Sequence, residues 1–185
     1  MADNYQPTFI DKLLVLPVLG RTVFAALTRM ITGPLFGGPR GNTYFKDVAY
    51  AALRTNLSIV GVGTEQWLNP PTEAGYLQLA KAHSFQPETT VLTNGLKLHW
   101  IGPKTAKKVL LYFHGGGYVL SCSAGHYEWL YDLQQELAKE TSFSIVLVGY
   151  TLAPHGQYPK QLAEAAESLQ WLLETQKYRP GDVST

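Results

Sequence analysis

The sequence predicts an α/β fold: a mostly parallel sheet with an N-terminal β-hairpin and flanking helices, preceded by a helical region. Three observations predict it. First, Val109-Leu110-Leu111-Tyr112-Phe113 and the run from Phe143 to Val148 are strings of β-formers with almost no polar interruption, the mark of strands buried on both faces of a parallel sheet. Second, each is followed by a helix-length segment with apolar residues at helical spacing, 125–140 and 161–176. Strand, helix, strand, helix is the order that crossover connections impose. Third, the β-rich runs 89–92 and 96–101 flank Asn94-Gly95, a dipeptide that joins antiparallel strands through a type I′ turn because both residues tolerate positive φ.

Length and composition support a globular chain. With 185 residues, 45% hydrophobic and 12% aromatic, there is enough apolar side chain for one substantial core. Lys+Arg 15 against Asp+Glu 14, net +1 and without a basic cluster, leaves no electrostatic footprint for nucleic acid. Cys122 is the single cysteine, which rules out an intrachain disulfide and suits a reducing, intracellular compartment. It is read as a small buried residue and not as a nucleophile, since no base is assignable beside it. His83, His99, His114, His126 and His155 show no metal-ligand spacing among themselves or with Cys122, so no metal site is expected.

Taken in order, residues 1–8 are polar and expected to fray. Phe9 to Ile31 is largely apolar, but Asp11, Lys12, Arg21 and Arg29 interrupt it and it contains Pro17 and Gly20. Its longest clean run, Leu13 to Leu19, falls short of the about 20 residues a membrane span needs. Two readings stay open for this segment: a helix packing on the body of the protein, and a shallow helix contacting a membrane surface through residues 9–31. Asp3 and Asp11 near the start argue against a secretory signal. The expected location is therefore cytoplasmic, or peripheral on a membrane. Gly33-Pro34 through Gly41 reads as a linker that closes a first segment, 1–41. A helix is predicted from a cap at Asn42 or Thr43 to about Val60, ended by Gly61 and Gly63. Pro70-Pro71-Thr72-Glu73 predicts another, with Thr72 as N-cap, reaching about His83. These helices make 42–88 a cap region and leave 89–185 as the sheet-bearing core. His99 alternates with Leu98 and Trp100 and is expected to face solvent or the cap.

The stretch that carries chemistry is His114-Gly115-Gly116-Gly117-Tyr118, at the end of the first long strand. Glycines at a strand end let successive N–H groups converge without side chains in the way, and such a nest holds negative charge, as an oxyanion hole does. Downstream stand Tyr150-Thr151-Leu152-Ala153-Pro154 and Tyr158-Pro159. The two motifs, in this order and with a helix-length spacer, resemble those of the hormone-sensitive-lipase branch of the α/β-hydrolases, a group of serine esterases and deacetylases. The resemblance covers residues 89–178 well and, more loosely, the N-terminal helices of some fungal members. It implies the N-terminal part of an α/β-hydrolase, cleavage of a small-molecule carboxylic ester and no cofactor. It also implies an oxyanion hole at Gly115, Gly116 and Gly117, with support from His114, Tyr118, Tyr150, Pro154 and Pro159. The donors would be the N–H groups of Gly116 and Gly117, with Gly115 giving room for the turn and His114 holding the loop. His155 stands where the family usually has glutamate, and Glu164 about where relatives carry aspartate. Tyr118, Tyr127 and Tyr158 are candidates for a pocket wall, with core packing as the alternative.

The branch places its serine in a Gly-x-Ser-x-Gly elbow after the next strand, with the acid and histidine later still. The 185 residues contain no such elbow. Its nearest approach, Ser121-Cys122-Ser123-Ala124-Gly125, has serine where the first glycine belongs and follows the oxyanion strand instead of its own. No nucleophile is identified, and Ser123 is read as a small polar residue of the loop. Tyr178 to Thr185 looks like the entry to the elbow strand. The expectation is a truncated hydrolase that is inactive alone; the alternative is a non-catalytic binding module. In the branch's strand order the Val109–Phe113 strand pairs with the elbow strand, so its edge is expected to be exposed and open to a second copy or a complementing chain. A dinucleotide reading of the glycines fails, because Gly115-x-Gly117-x-x-Leu120 lacks the third glycine.

Overall fold

A computed structural model describes residues 8–36 and 43–185. The frayed start and positions 37–41 of the expected linker lie outside the described residues. The chain forms two compact units, one over the described residues up to Leu68 and one over Asn69–Thr185.

In the first unit, α1 (Phe9–Phe36) is a helix of 28 residues that runs unbroken through Pro17, Gly20, Gly33 and Pro34. Each proline removes one ladder bond, and the helix formers on either side carry the ladder past it. Two expectations are corrected. Residues 33–36 are helix, not linker, and the apolar segment is not cut short: Lys12–Phe36 is 25 residues at hydropathy 1.6, long and apolar enough to cross a membrane. Helix α2 (Tyr44–Ile59) starts as predicted, with Thr43 as N-cap accepting from the Lys46 N–H at 3.3 Å. Gly61 follows it, but Gly63 lies inside a short helix that was not predicted, α3 (Val62–Leu68). Arg29 Nε donates to Asp47 Oδ2 at 2.5 Å, and Tyr44 Oη donates to the Met30 carbonyl at 2.5 Å, so α1 and α2 are tied at two points.

The second unit begins with α4 (Thr72–Ala82), followed by β1 (Glu88–Val91), β2 (Lys97–Ile101), β3 (Lys108–Tyr112), α5 (Ala124–Leu137), β4 (Phe143–Gly149), α6 (Lys160–Glu174) and β5 (Val183–Ser184). The sheet order is β1-β2-β4-β3-β5. β2 runs antiparallel to both β1 and β4, whereas β3 lies parallel to both β4 and β5. The hairpin forms as predicted, but with different turn chemistry. Gly95 has φ +87 while Asn94 keeps a negative φ, and Gly95 N–H donates to the Leu92 carbonyl at 2.9 Å. That is a four-residue turn closed by a left-handed glycine, not a type I′ turn. The expected bare edge on β3 is also corrected. Val109 and Leu110 pair with Val183 and Ser184, so the start of β3 is covered.

The sheet is covered on both faces. Leu98, Trp100, Val109, Leu111, Val146 and Val148 pack with Leu172 of α6 on one side. Ile101, Ile145 and Leu147 pack with Tyr76 and Leu79 of α4 and Tyr127 and Leu130 of α5 on the other. Tyr76 is fully buried and its hydroxyl accepts from the Glu88 N–H (2.7 Å) and donates to the Trp100 carbonyl (2.6 Å), which pins α4 to the hairpin. His99 belongs to this packing. It is 1% exposed, stacks on the Tyr76 ring of α4 at 4.8 Å and meets Thr89 Oγ1 at 2.9 Å, so of its two expected surroundings it faces the cap region and not solvent. α5 and α6 leave the carboxyl ends of β3 and β4 for opposite faces of the sheet. Adjacent strands diverging in this way open a crevice at their ends, and the two motif loops lie there.

Candidate active site

β3 ends at Tyr112, and the glycine loop turns immediately. Gly116 has φ +123, Gly117 φ +61 and Tyr118 φ +61, a run of positive φ that a sequence without glycine could not supply. A Cβ on Gly116 would lie 2.8 Å from both the Leu120 Cβ and the Leu120 carbonyl oxygen, so close approach as well as φ demands glycine there. The Gly116 carbonyl accepts from the Val119 and Leu120 N–H groups, each at 3.0 Å, which closes the turn. Among the described residues, none of the N–H groups of Gly115, Gly116 and Gly117 donates a hydrogen bond. Three consecutive N–H groups on side-chain-free backbone are thus left without an acceptor, the kind of backbone that can attract negative charge.

The loop is held from two directions. Tyr150, which follows β4, donates from its hydroxyl to the His114 carbonyl at 2.7 Å and stacks on the His114 ring at 4.4 Å. The Ala153 N–H donates to the Tyr118 carbonyl at 2.8 Å, tying the second motif to the first. From α4 comes Thr72. Sequence reasoning made it the N-cap, but Pro71 occupies that position and the threonine hydroxyl is used elsewhere. Buried, Thr72 Oγ1 meets His114 Nε2 at 3.3 Å and accepts from the Cys122 N–H at 3.4 Å, while its carbonyl accepts from Tyr127 Oη at 2.7 Å. His114 Nδ1 lies 2.8 Å from the Gly115 carbonyl, an acceptor only, so Nδ1 carries the proton and Nε2 accepts from Thr72. Burial pushes the His114 imidazole below its ordinary value, so the neutral ring that this pattern requires is the one present at neutral pH. His114 thus sits among the hydrogen bonds that hold the loop. No sequence signal connects Thr72 to it, because the partners are 42 positions apart.

The second motif is anchored by α6. Glu164, 5% exposed, accepts from Thr151 N–H at 2.7 Å and Thr151 Oγ1 at 2.6 Å, so it is a buried anchor and not a solvated helix residue. Gln161 adds donors to the Thr151 and Gly156 carbonyls, both at 2.9 Å, a role sequence reasoning missed. Pro154 and Pro159 follow cis peptide bonds and shape the segment between. His155 is exposed. Of the three candidate pocket tyrosines, Tyr118 and Tyr158 are exposed, while Tyr127 is a core residue, drawn in by its bond to Thr72.

Two nucleophile candidates can be judged directly. Cys122 is buried and its thiol is pushed up to about 12 by that burial, so it is not thiolate at neutral pH. Ser123 is exposed at the start of α5, and its hydroxyl meets His126 Nδ1 at 2.8 Å. No carboxylate among the described residues orients His126, so this pair lacks the third member of a triad.

A family model described as alpha/beta hydrolase fold matches residues 110–184. Residues 110–184 belong to the α/β-hydrolase fold. The chain also has relatives among esterases. It is similar to an ethyl acetate hydrolase of Pseudomonas putida, 35% identical over 72 residues, covering 39% of this chain and 21% of the relative. It is also similar to the hormone-sensitive lipase of Homo sapiens, 31% identical over 78 residues, covering 40% of this chain and 7% of the lipase. An arylacetamide deacetylase of Rattus norvegicus is 34% identical over 71 residues, 38% of this chain and 17% of that protein. The matched stretch thus spans about a fifth or less of these curated relatives. Among solved structures, an esterase of the fungus Rhizomucor miehei aligns over 62% of this chain and 40% of its own, at 21% identity and a TM-score of 0.43. In this α/β-hydrolase segment, β3 and β4 carry the two motif loops on their carboxyl ends, and β5 lies beside β3.

Proposed function

We propose that this chain supplies the oxyanion-stabilising half of a serine-type carboxylic ester hydrolase of the hormone-sensitive-lipase branch, acting on small esters such as acetyl esters. The observation that carries the reading is the run of unpaired N–H groups on Gly115, Gly116 and Gly117, held by Tyr150, Thr72 and Ala153. When a nucleophile adds to an ester carbonyl, the oxygen gains a full negative charge, and donors already in place stabilise it without reorganisation. The glycine N–H groups take that role, and the neutral His114 positions them. An acetate ester and an acetamide appear in the names of two of the relatives, which supports a short acyl group. The nucleophile, its base and the orienting acid lie outside residues 1–185 in this reading, since no Gly-x-Ser-x-Gly elbow occurs among them.

The test pairs hydrolysis of p-nitrophenyl acetate with covalent labelling by a fluorophosphonate. It compares the 185-residue chain with the same chain joined to a segment bearing an elbow. Neither turnover nor label is expected from the shorter chain, and both are expected from the longer one. Label at Ser123 with turnover in the shorter chain would overturn the assignment of the nucleophile. A longer chain that takes the label but hydrolyses no short ester would overturn the substrate class, and one that does neither would favour a binding module.

A further inference from the structure

We infer that α1 and α2 form a membrane-binding helical pair in which α1 lies in the plane of the lipid interface, its outer face in the acyl region, with α2 covering it from the water side. The first observation is an inverted helix pattern. A water-soluble helix turns its large apolar side chains inward. α1 does the opposite: its large side chains, among them Leu16, Phe24 and Ile31 at 77, 70 and 66% exposure, point away from α2. Its half-buried and buried positions fall on one stripe at helical spacing, Val18, Thr22, Ala25, Arg29 and Gly33, mostly small or polar. Small residues and a paired charge between helices, with bulky apolar residues outside, is how helices pack when their surroundings are lipid. The charge is indeed paired, since Arg29 meets an Asp47 that is 3% exposed.

The second observation is where the remaining charges stand, and it selects the orientation. At 100° per residue, Phe9, Leu13, Leu16, Phe24, Leu27 and Ile31 share one sector of α1 with no charge in it, over the full length of about 42 Å. Lys12 and Arg21 stand at the two borders of that sector, about a quarter-turn from its centre on either side. A helix lying flat sinks the sector among the acyl chains and leaves both cations level with the headgroups. A helix crossing the bilayer would instead put the exposed Arg21 near its centre and draw the exposed Lys46 and Arg54 of α2 in after it, which is costly. Trp67 of α3, half exposed with Lys12 Nζ 5.4 Å from its ring centroid, provides the kind of aromatic that settles at headgroup level. An apolar sector of this length exceeds the patch a monomer ordinarily shows to water. The cations on its borders match an anionic lipid surface better than a second copy of the same face.

The test uses the full chain, purified in detergent and mixed with vesicles of phosphatidylcholine containing a fifth phosphatidylglycerol. Co-sedimentation with vesicles is expected, with the double change Leu16→Glu and Phe24→Glu lowering partitioning by at least tenfold. Leu53→Glu, on the outer face of α2, should change it less than about threefold. Circular dichroism checks that the glutamates, placed on side chains that point outward, leave helix content intact. Nitroxide labels at Leu16→Cys, Phe24→Cys and Ile31→Cys in a Cys122→Ala background then report depth through oxygen against nickel-chelate accessibility. One shared depth is the expected result. A gradient of depth from position 16 to 31 would overturn the flat orientation in favour of a span. A chain that ignores vesicles, or dimerises through this face in their absence, would overturn the lipid partner altogether.

Discussion

The buried histidine of β2 makes stability depend on acid in a way that can be worked out in advance. His99 is 1% exposed, its Nε2 has no partner among the described residues, and its ring is stacked on Tyr76. Burial, the dominant cause, lowers it from an ordinary 6.5 to about 4; Glu73 opposes the shift and Lys97 adds to it. The unfolded chain therefore takes up a proton below pH 6.5, while the folded chain refuses one until about pH 4. Stability is fully present above 6.5 and is lost as pH falls through that window. A shift of this size corresponds to about 3.4 kcal/mol at its limit, of which about 2 kcal/mol is lost by pH 5. Urea unfolding followed by tryptophan fluorescence, at pH 7, 6 and 5, measures it. His99→Leu should remove this share of the pH dependence, and His99→Gln is the alternative if leucine does not fold. Carboxylates and His114 titrate in both proteins, so the difference in slope between wild type and variant isolates His99. If wild type and variant lose the same stability between pH 7 and 5, within about 0.5 kcal/mol, the reasoning from burial is wrong.

Three further outcomes follow from the site. Gly116→Ala should cost about 1–3 kcal/mol, because φ +123 and a Cβ 2.8 Å from Leu120 both oppose it, whereas Gly115→Ala meets nothing within 4 Å and should melt within a few degrees of wild type in a thermal shift assay. Tyr150→Phe strips the donor from the His114 carbonyl and should lower the urea-derived stability by about 1–3 kcal/mol. Glu164→Gln replaces a carboxylate that accepts two bonds from Thr151 and should cost about 1.5–3 kcal/mol, read by the same unfolding measurement; a loss under about 0.5 kcal/mol would mean the anchor is not needed.

How far the sequence is legible depends on the range of the physics involved. β4 and the glycine loop are read correctly because a continuous apolar run and three glycines are local statements. For His99 on β2 the sequence leaves solvent and the cap region open, and the structure decides for the cap region. Alternation assigns His99 to an outer face only if the sheet has one, but α4 covers that face and Tyr76 takes the ring. Asn94-Gly95 marks the turn but not its type, since glycine alone can provide the positive φ in a longer turn. In α1 the prolines look like breaks and are not, because a proline costs one ladder bond and many others remain. At the site, Gly115, Gly116, Gly117, His114 and Tyr150 are recognisable from their motifs. The bonds that join them to Thr72, and Thr151 to Glu164, are not, because each is a contact between elements distant in sequence.

Those unreadable contacts decide what the loop can do. Flexible glycines by themselves would sample many conformations, and N–H groups that must be collected at the moment of reaction stabilise an oxyanion poorly. Here the supports sit on α4 through Thr72 and on the loop after β4 through Tyr150 and Ala153, while Glu164 of α6 fixes that second loop in turn. All of them lie between residues 72 and 164, ahead of β5. Cys122, whose N–H also reaches Thr72, ties the far end of the glycine loop to the same hydroxyl, so both ends of the loop are held through one side chain. The glycine loop is therefore organised by the segment that contains it, with the N–H groups of Gly115, Gly116 and Gly117 left unpaired among the described residues.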